Sequence, residues 1–428
     1  MLPTIKSIVA LLLSYGLLLM ANGLSATLLG IRSTIEGFSP EITGFIMASY
    51  FLGLFIGARY AVWVVARVGH IRSFAAFASV MSVSALTHAI FIDPLAWMFM
   101  RMASGFCMAG MIMVTESWLN ERATNVTRGR VLSIYMITNY AAAGFAQLLL
   151  NISDPAKFHL FSLASILFSV ALIPVLLTRA VAPQPVSIDR MSLRQLYRIS
   201  PLGMSGALCA GLINATFYGL APVFGREIGL QLSDISIFMA TIILAGLLLQ
   251  WPMGWLSDRI DRRWVLTIVT LLTCVACVLI VYASRGESWL LYAAGILYGS
   301  LSFTIYSLSA AHANDFAGSE RLIQVAGGLL VTYGIGAILG PIIGSVVMGQ
   351  IGPAGLFWFS ASVTALLGLF SLWRMSKRVA KRRWEKRRFV PVPSTQYTSD
   401  ELYQAAQDQQ EQMSRIENDS EYNKAEPQ

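Results

Sequence analysis

Apolar residues run along this chain in twelve long blocks, separated by short polar breaks, between residues 5 and 373. The blocks lie near 5–29, 42–65, 73–92, 95–118, 130–150, 158–178, 202–224, 234–256, 264–283, 289–311, 324–348 and 355–373. Each is close to the ~20 apolar residues that take an α-helix across a bilayer. A helix satisfies its own backbone in lipid, so the pattern predicts an all-α membrane protein with twelve transmembrane helices. The first block follows Lys6 and contains small residues from Ala21 to Ala26, as a secretory signal would. Its apolar run continues to Leu29, too long for a signal core, and it is read as a span.

Composition agrees with the block count. With 56% hydrophobic and 13% charged residues, the chain has too little polar surface for a soluble fold of this size. The net charge of +8 would suggest nucleic acid in a soluble protein, but its placement argues against that partner. Taking the loops alternately from an inside N-terminus puts Lys6, Arg67, Arg72, Arg122, Arg128, Arg130, Arg179, Arg190, Arg194, Arg198, Arg259, Arg262, Arg263 and Arg321 on one side. The other side receives Arg32, Lys157, Arg226 and Arg285. This bias predicts a membrane protein with both termini cytoplasmic. The run from Arg374 to Arg388, with Trp384 inside it, is expected to rest on anionic lipid headgroups. The polar tail beyond Pro391 is expected to be disordered or weakly helical.

The halves resemble each other. The segment from Arg179 to Ser200, with Pro183 and Pro185, divides six spans from six. Asn22 lies 192 residues before Asn214, and the same offset brings Ala66-Arg67-Val68-Gly69 onto Asp258-Arg259-Ile260-Asp261. The expected organisation is a six-helix bundle over 1–178, a cytoplasmic loop over 179–200, a second bundle over 201–373 and a tail over 374–428. An internal repeat of six spans is the architecture of transporters that rock about a midplane site. Other chemistries find no support. Cys107, Cys209, Cys274 and Cys277 all fall within spans and read as packing residues, the Cys274-x-x-Cys277 spacing included. No residue cluster has metal-ligand spacing, no phosphate loop occurs, and no nucleophile–base constellation lies within the spans. The expectation is a non-enzyme with no cofactor.

The loop Gly254-Trp255-Leu256-Ser257-Asp258-Arg259-Ile260-Asp261-Arg262-Arg263 closely resembles the G-x-L-a-D-R-x-G-R-R signature of the major facilitator superfamily. Arg101-x-x-x-Gly105 with Gly110 resembles its second motif, and Gly336-x-x-x-Gly340-Pro341-x-x-Gly344 its small-residue packing pattern. Val114-Thr115-Glu116-Ser117, Gly129-Arg130-x-Leu132-x-x-Tyr135-Met136, Tyr218-Gly219-Leu220-x-Pro222 and Gln250-Trp251-Pro252-x-Gly254 are similar to its YcaD-like bacterial branch. The resemblance covers residues 5 to 373. It implies two pseudo-symmetric six-helix bundles and a central cavity lined by spans 1, 4, 7 and 10. Two departures stand out. The acidic residue of the signature is Ala66 in the first half, which removes any latch there. Span 5 has Asn139, Tyr140, Gly144 and Gln147 where drug/proton antiporters carry a Gly-Pro motif, which weakens a multidrug reading.

Charged side chains inside spans are costly and are kept where they meet a wet cavity or a partner. Arg101, Arg59 and Glu116 qualify. Glu116 follows Arg101 by fifteen residues, which is about 60° in azimuth on a helix. Helical spacing puts Tyr15, Asn22 and Ser25 broadly on one side of span 1, Asn214 and Tyr218 one turn apart on span 7, and Tyr298, Ser302, Tyr306 and Ser309 in a stripe on span 10. With the resemblance, the substrate contacts are expected at Asn22, Arg59, Arg101, Asn214, Tyr218, Tyr298 and Tyr306. Asn139, Tyr140 and Gln147 form a second line. Gating and coupling are expected at Glu116, Asp258, Arg259 and Arg130. His88 reads as a bystander, and His312, near Asn314 and Asp315, as a helix cap. The sequence points to a monomeric secondary transporter moving a small anionic or zwitterionic organic solute by alternating access, with protons as the coupling ion and symport as the mode. The alternatives are an exporter of amphipathic compounds and a transporter-like sensor that signals through its tail.

Overall fold

A computed structural model describes residues 2–122, 128–177, 191–286, 288–318, 321–377 and 389. Local chemistry sets the helix ends. Helix α2 (Pro40–Val68) starts where Ser39 Oγ accepts the Ile42 N–H and Pro40 occupies the first turn, and stops at Gly69, whose φ of 90° favours glycine. The turns after the first and seventh spans use Gly37 at φ 74° and Gly229 at φ 85°. These two glycines stand 192 residues apart, so the repeat extends to backbone conformation.

The first half comprises α1 (Leu2–Ile35), α2, α3 (His70–Ile90), α4 (Pro94–Arg122), α5 (Arg128–Leu148) and a sixth span split into α6 (His159–Val170) and α7 (Leu172–Leu176). Helix α8 (Leu193–Ile199), started by a Ser192/Gln195 capping box, lies in the central loop and packs Leu196 against Gly328. The second half comprises α9 (Pro201–Glu227), α10 (Leu232–Ala245) with α11 (Gln250–Arg259), α12 (Arg262–Ala283), α13 (Ser288–Ser302) with α14 (Ile305–Phe316), α15 (Leu322–Ile351) and α16 (Gly355–Lys377). Eleven of these helical segments are long and apolar enough to cross a membrane. Helix α5 is the twelfth crossing. Its 21 residues rise about 31 Å, and Asn139, Tyr140 and Gln147 make it the more polar one.

Besides the sixth, which turns at Ala171, two spans expected to be continuous are broken. The eighth is interrupted over Gly246–Leu249 and the tenth at Phe303–Thr304. The breaks adjoin, because Gly246 faces the rings of both Phe303 and Tyr140. Gln250 repairs the exposed backbone: its Nε2 donates to Phe303 O at 3.0 Å and to Tyr140 Oη at 3.2 Å, and its Oε1 accepts from Ser307 Oγ at 3.3 Å.

Small residues set the closest helix pairs. Gly53 and Gly57 of α2 face the backbone carbonyls of Met102 and Phe106, while Gly105 of α4 faces Tyr50 O. Across the second half, Gly336, Gly340 and Gly344 of α15 face Leu208 O, Leu212 O and Thr216 of α9. Without a hydrophobic drive between helices in lipid, such backbone approach is what holds a pair together.

Candidate functional site

The two halves touch at one end of the bundle and separate at the other. We call the end carrying Arg67, Arg72, Arg259, Arg262, Arg263 and Arg321 the basic end. At the opposite end, Gly44 of α2 packs on Ser345 and on Pro341 O of α15, Gly219 of α9 packs on Met47, and Gly30 of α1 packs on Pro222. Asn151 Nδ2 also donates across the halves to Ser236 Oγ at 2.8 Å. Midway, Gly144 meets Leu244 and Tyr140 meets Gly246 and Gln250. Toward the basic end, the same face of α5 continues through Ile137 and Ser133, and that of the eighth span through Leu248, Trp251 and Trp255. All five are exposed. The contact face of α2 likewise passes from Phe55, which meets Gly334, to exposed Arg59, Val62 and Ala66. Faces that interlock at one end therefore stand apart at the basic end.

Behind the sealed end lies a cavity whose space between atoms, open solvent included, is about 540 Å³. It is lined by Leu19, Asn22, Gly23, Ala26 and Thr27 of α1, Met47, Tyr50 and Phe51 of α2, Arg101 of α4, Ala143 and Gln147 of α5, and Tyr218 and Gly219 of α9. The helix contacts explain where Arg101 sits. Gly105 lets α4 rest on Tyr50 O, and Arg101, one turn earlier on the same face, is carried over the Tyr50 ring with its Cζ 4.2 Å from the centroid. Arg101 and Asn22 are both 4% exposed. Thr27 Oγ1 donates to Gln147 Oε1 at 2.7 Å, and Gln147 Nε2 donates to Ala143 O at 3.1 Å, so this amide is held facing the cavity. Among the described lining residues, none carries a carboxylate.

A second polar group lies between this cavity and the basic end. Glu116 is fully buried and accepts the Tyr135 hydroxyl. Tyr135 stacks on Tyr15 with centroids 4.8 Å apart, and Asn139 Nδ2 donates to Tyr15 Oη at 2.7 Å. Tyr15, Leu19 and Asn22 share one face of α1, which connects the group to the cavity lining.

The remaining expected contacts are dispersed. Tyr298 is buried between Phe217 and Phe357, at 5.8 and 5.7 Å, in the core of the second half. Tyr306 stands edge-on to Tyr333, and buried Asn214 is outside the cavity lining. Arg59 is exposed on α2. His88 is buried beside Trp97 with Nδ1 at 2.6 Å from Ser84 O, and His312 stands edge-on to Phe316. Asp258 pairs with Arg262 at 2.8 Å, and Arg262 pairs with buried Asp315 at 2.8 Å. Arg259 lies over Trp255 at 3.6 Å. The side chain of Arg130, the basic stretch from residue 378 to 388 and the tail from residue 390 onward lie outside the described residues. Among the polar and aromatic lining residues, sequence reasoning missed Thr27, Tyr50 and Phe51. The signal for Tyr50 was Gly53, three residues on and just under a full turn away, which allows α2 to approach α4.

The match to known proteins follows the repeat. The family model of the Major Facilitator Superfamily matches residues 11–248 and again 203–402, the second match starting at the head of α9 and running past α16. An uncharacterised MFS-type transporter, YcaD of Salmonella newport, is 26% identical over 77% of this chain and 85% of its own length. Among solved structures, the nucleoside transporter NupG superposes with a TM-score of 0.69 at 15% identity, over 87% of this chain and 99% of its own. An inward-facing, occupied bacterial homologue of the lysosomal transporter Spinster gives 0.72 at 13%, over 90% and 98%. A D-xylose–proton symporter gives 0.63 at 16%, over 86% and 96%. Twelve crossings in two repeated bundles, and a family match that spans both of them, establish that this chain is a multi-pass membrane transporter of the major facilitator superfamily.

Proposed function

We propose that this secondary transporter moves a small anionic or zwitterionic organic solute by alternating access, in symport with protons, across a bacterial inner membrane with its basic end and both termini in the cytoplasm. The division at residues 179–200 separates the two rocking bundles. In this reading the arrangement described above is the inward-open form. The observation that carries the substrate class is Arg101: a buried guanidinium over Tyr50, beside Asn22 and Gln147, in a cavity whose described lining holds no carboxylate. A guanidinium fork pairs best with a carboxylate or phosphate, and the amides suit a neighbouring polar group on the solute. Glu116 is the coupling group. An ionisable residue wholly inside a span is a functional candidate by default, and Tyr135, Tyr15 and Asn139 link it to the solute site.

The test is a thermal-stability screen of the purified protein against organic anions, amino acids and lipophilic cations. A ligand at 100 times its Kd adds about 2.7 kcal/mol of stability. Stabilisation by an anion or amino acid, lost in Arg101→Ala, supports the reading. Stabilisation by lipophilic cations alone would replace it with the amphipathic exporter, for which the aromatic lining of Tyr50, Phe51 and Tyr218 is suited.

A further inference from the structure

The part of the tail that the structure describes sits on the signature loop of the second half. Phe389 is 8% exposed, and its ring fills the notch over Gly254, where a Cβ would collide with it. Its backbone N–H donates to both carboxylate oxygens of Asp258, at 3.0 and 3.1 Å. Gly254 and Asp258 are one turn apart on α11, so a single residue from the tail engages a shape feature and a charge on the same face.

That face belongs to the open cleft. Helix α5 and the eighth span run antiparallel, and their contacts pair Gly144 with Leu244 and Tyr140 with Gly246 and Gln250. Continued in the same register toward the basic end, Ser133 comes opposite Trp255 and the first turn of α5, Arg128–Arg130, comes opposite Asp258. The first N–H groups of a helix have no partners within it and draw a carboxylate. When the basic end closes, α5 therefore presents N–H groups to the carboxylate that Phe389 holds.

We propose that the Gly254–Asp258 face is a docking site for the chain's own tail, and that Phe389 and the first turn of α5 occupy it in alternation. Docked, Phe389 holds the basic end open; released, it allows closure. This rests on the alternating-access reading above, and the experiment separates the two. In the full chain, with Cys107, Cys209, Cys274 and Cys277 replaced by serine or alanine, Ser133→Cys reports the cleft through its reaction rate with a membrane-impermeant maleimide. Ending the chain at Arg388, or substituting Phe389→Pro to remove the N–H together with the ring, should slow labelling at least about fivefold, the size of one such bond. Gly254→Ala should slow it similarly in the full chain and add nothing in the chain that ends at Arg388. Gly44→Leu serves as the control, because a bulky side chain against Ser345 wedges the opposite end apart and must close the basic end in any alternating transporter. If Gly44→Leu slows labelling while the truncation and Phe389→Pro do not, the tail site is refuted and alternation stands. If none of the variants changes the rate, alternation fails and the tail proposal fails with it.

Discussion

The basic ends of α2 and α11 carry the same aromatic–cation pair beside different neighbours. Arg67 lies over Trp63 at 3.7 Å and, 192 residues later, Arg259 lies over Trp255 at 3.6 Å. The residue before the arginine is Ala66 in the first half and Asp258 in the second. His70 follows in the first half, stacked on Trp118, where Arg262 follows in the second and bridges Asp258 to Asp315. Inside the bundle the contrast reverses. The first half buries Arg101 and Glu116 and supplies eleven of the thirteen residues lining the cavity, the second supplying Tyr218 and Gly219. Duplicated bundles have thus kept a shared frame and divided their charge: the first half holds it where a solute could sit, the second where the halves separate.

The largest effect expected from this division is at Arg262. Its side chain is 1% exposed between two aspartates, and Arg262→Ala would remove the guanidinium paired with buried Asp315, at about 3–5 kcal/mol. His70→Ala at the matching position should cost about 1–2 kcal/mol, as an ordinary truncation of a buried ring. Denaturant unfolding in detergent measures both, and equal losses would erase the contrast. Next is Arg101. Arg101→Ala should weaken binding of a stabilising anion by at least about 30-fold, whereas Arg101→Lys, which keeps the charge and loses the fork, should weaken it about 10-fold. Isothermal titration provides the numbers. Glu116→Gln should leave affinity within about threefold while flattening the dependence of solute uptake on external pH; an unchanged pH profile would remove Glu116 from coupling. The smallest effects are the matched ones. Trp63→Ala and Trp255→Ala each remove an exposed cation–π contact, at about 0.5–1 kcal/mol, and should be equal within error.

Spans and repeat were legible because a bilayer imposes length and apolarity on each segment, and the 192-residue offset required only letters. Arg101, Asn22 and Tyr218 were legible for a related reason, since polar groups at membrane depth are few. Tyr50 was not, because its place over Arg101 depends on how closely Gly53 and Gly105 let two helices approach. The stripe of Tyr298, Ser302, Tyr306 and Ser309 rested on helical spacing along an unbroken span. Spacing does not say which neighbour a face meets, and the break at Phe303–Thr304 parts the stripe, leaving Tyr298 in the core and Tyr306 against Tyr333. Phe389 was hidden for the opposite reason: the scattered apolar residues of a basic and polar tail show no periodicity that would single it out.

The central claim, that an anion held by the first half changes which end of the bundle is closed, is tested most directly by two distances in one protein. Spin labels at Ser133 and Trp255 report the basic end, and labels at exposed Lys157 and Gln231 report the opposite end. Pulsed electron resonance would be recorded without ligand and with the anion that most stabilises the protein. The account predicts that the anion shortens the first distance and lengthens the second, and that Arg101→Ala abolishes both changes. Distances that stay fixed with the anion bound, that move in the same direction, or that still respond in Arg101→Ala would contradict it.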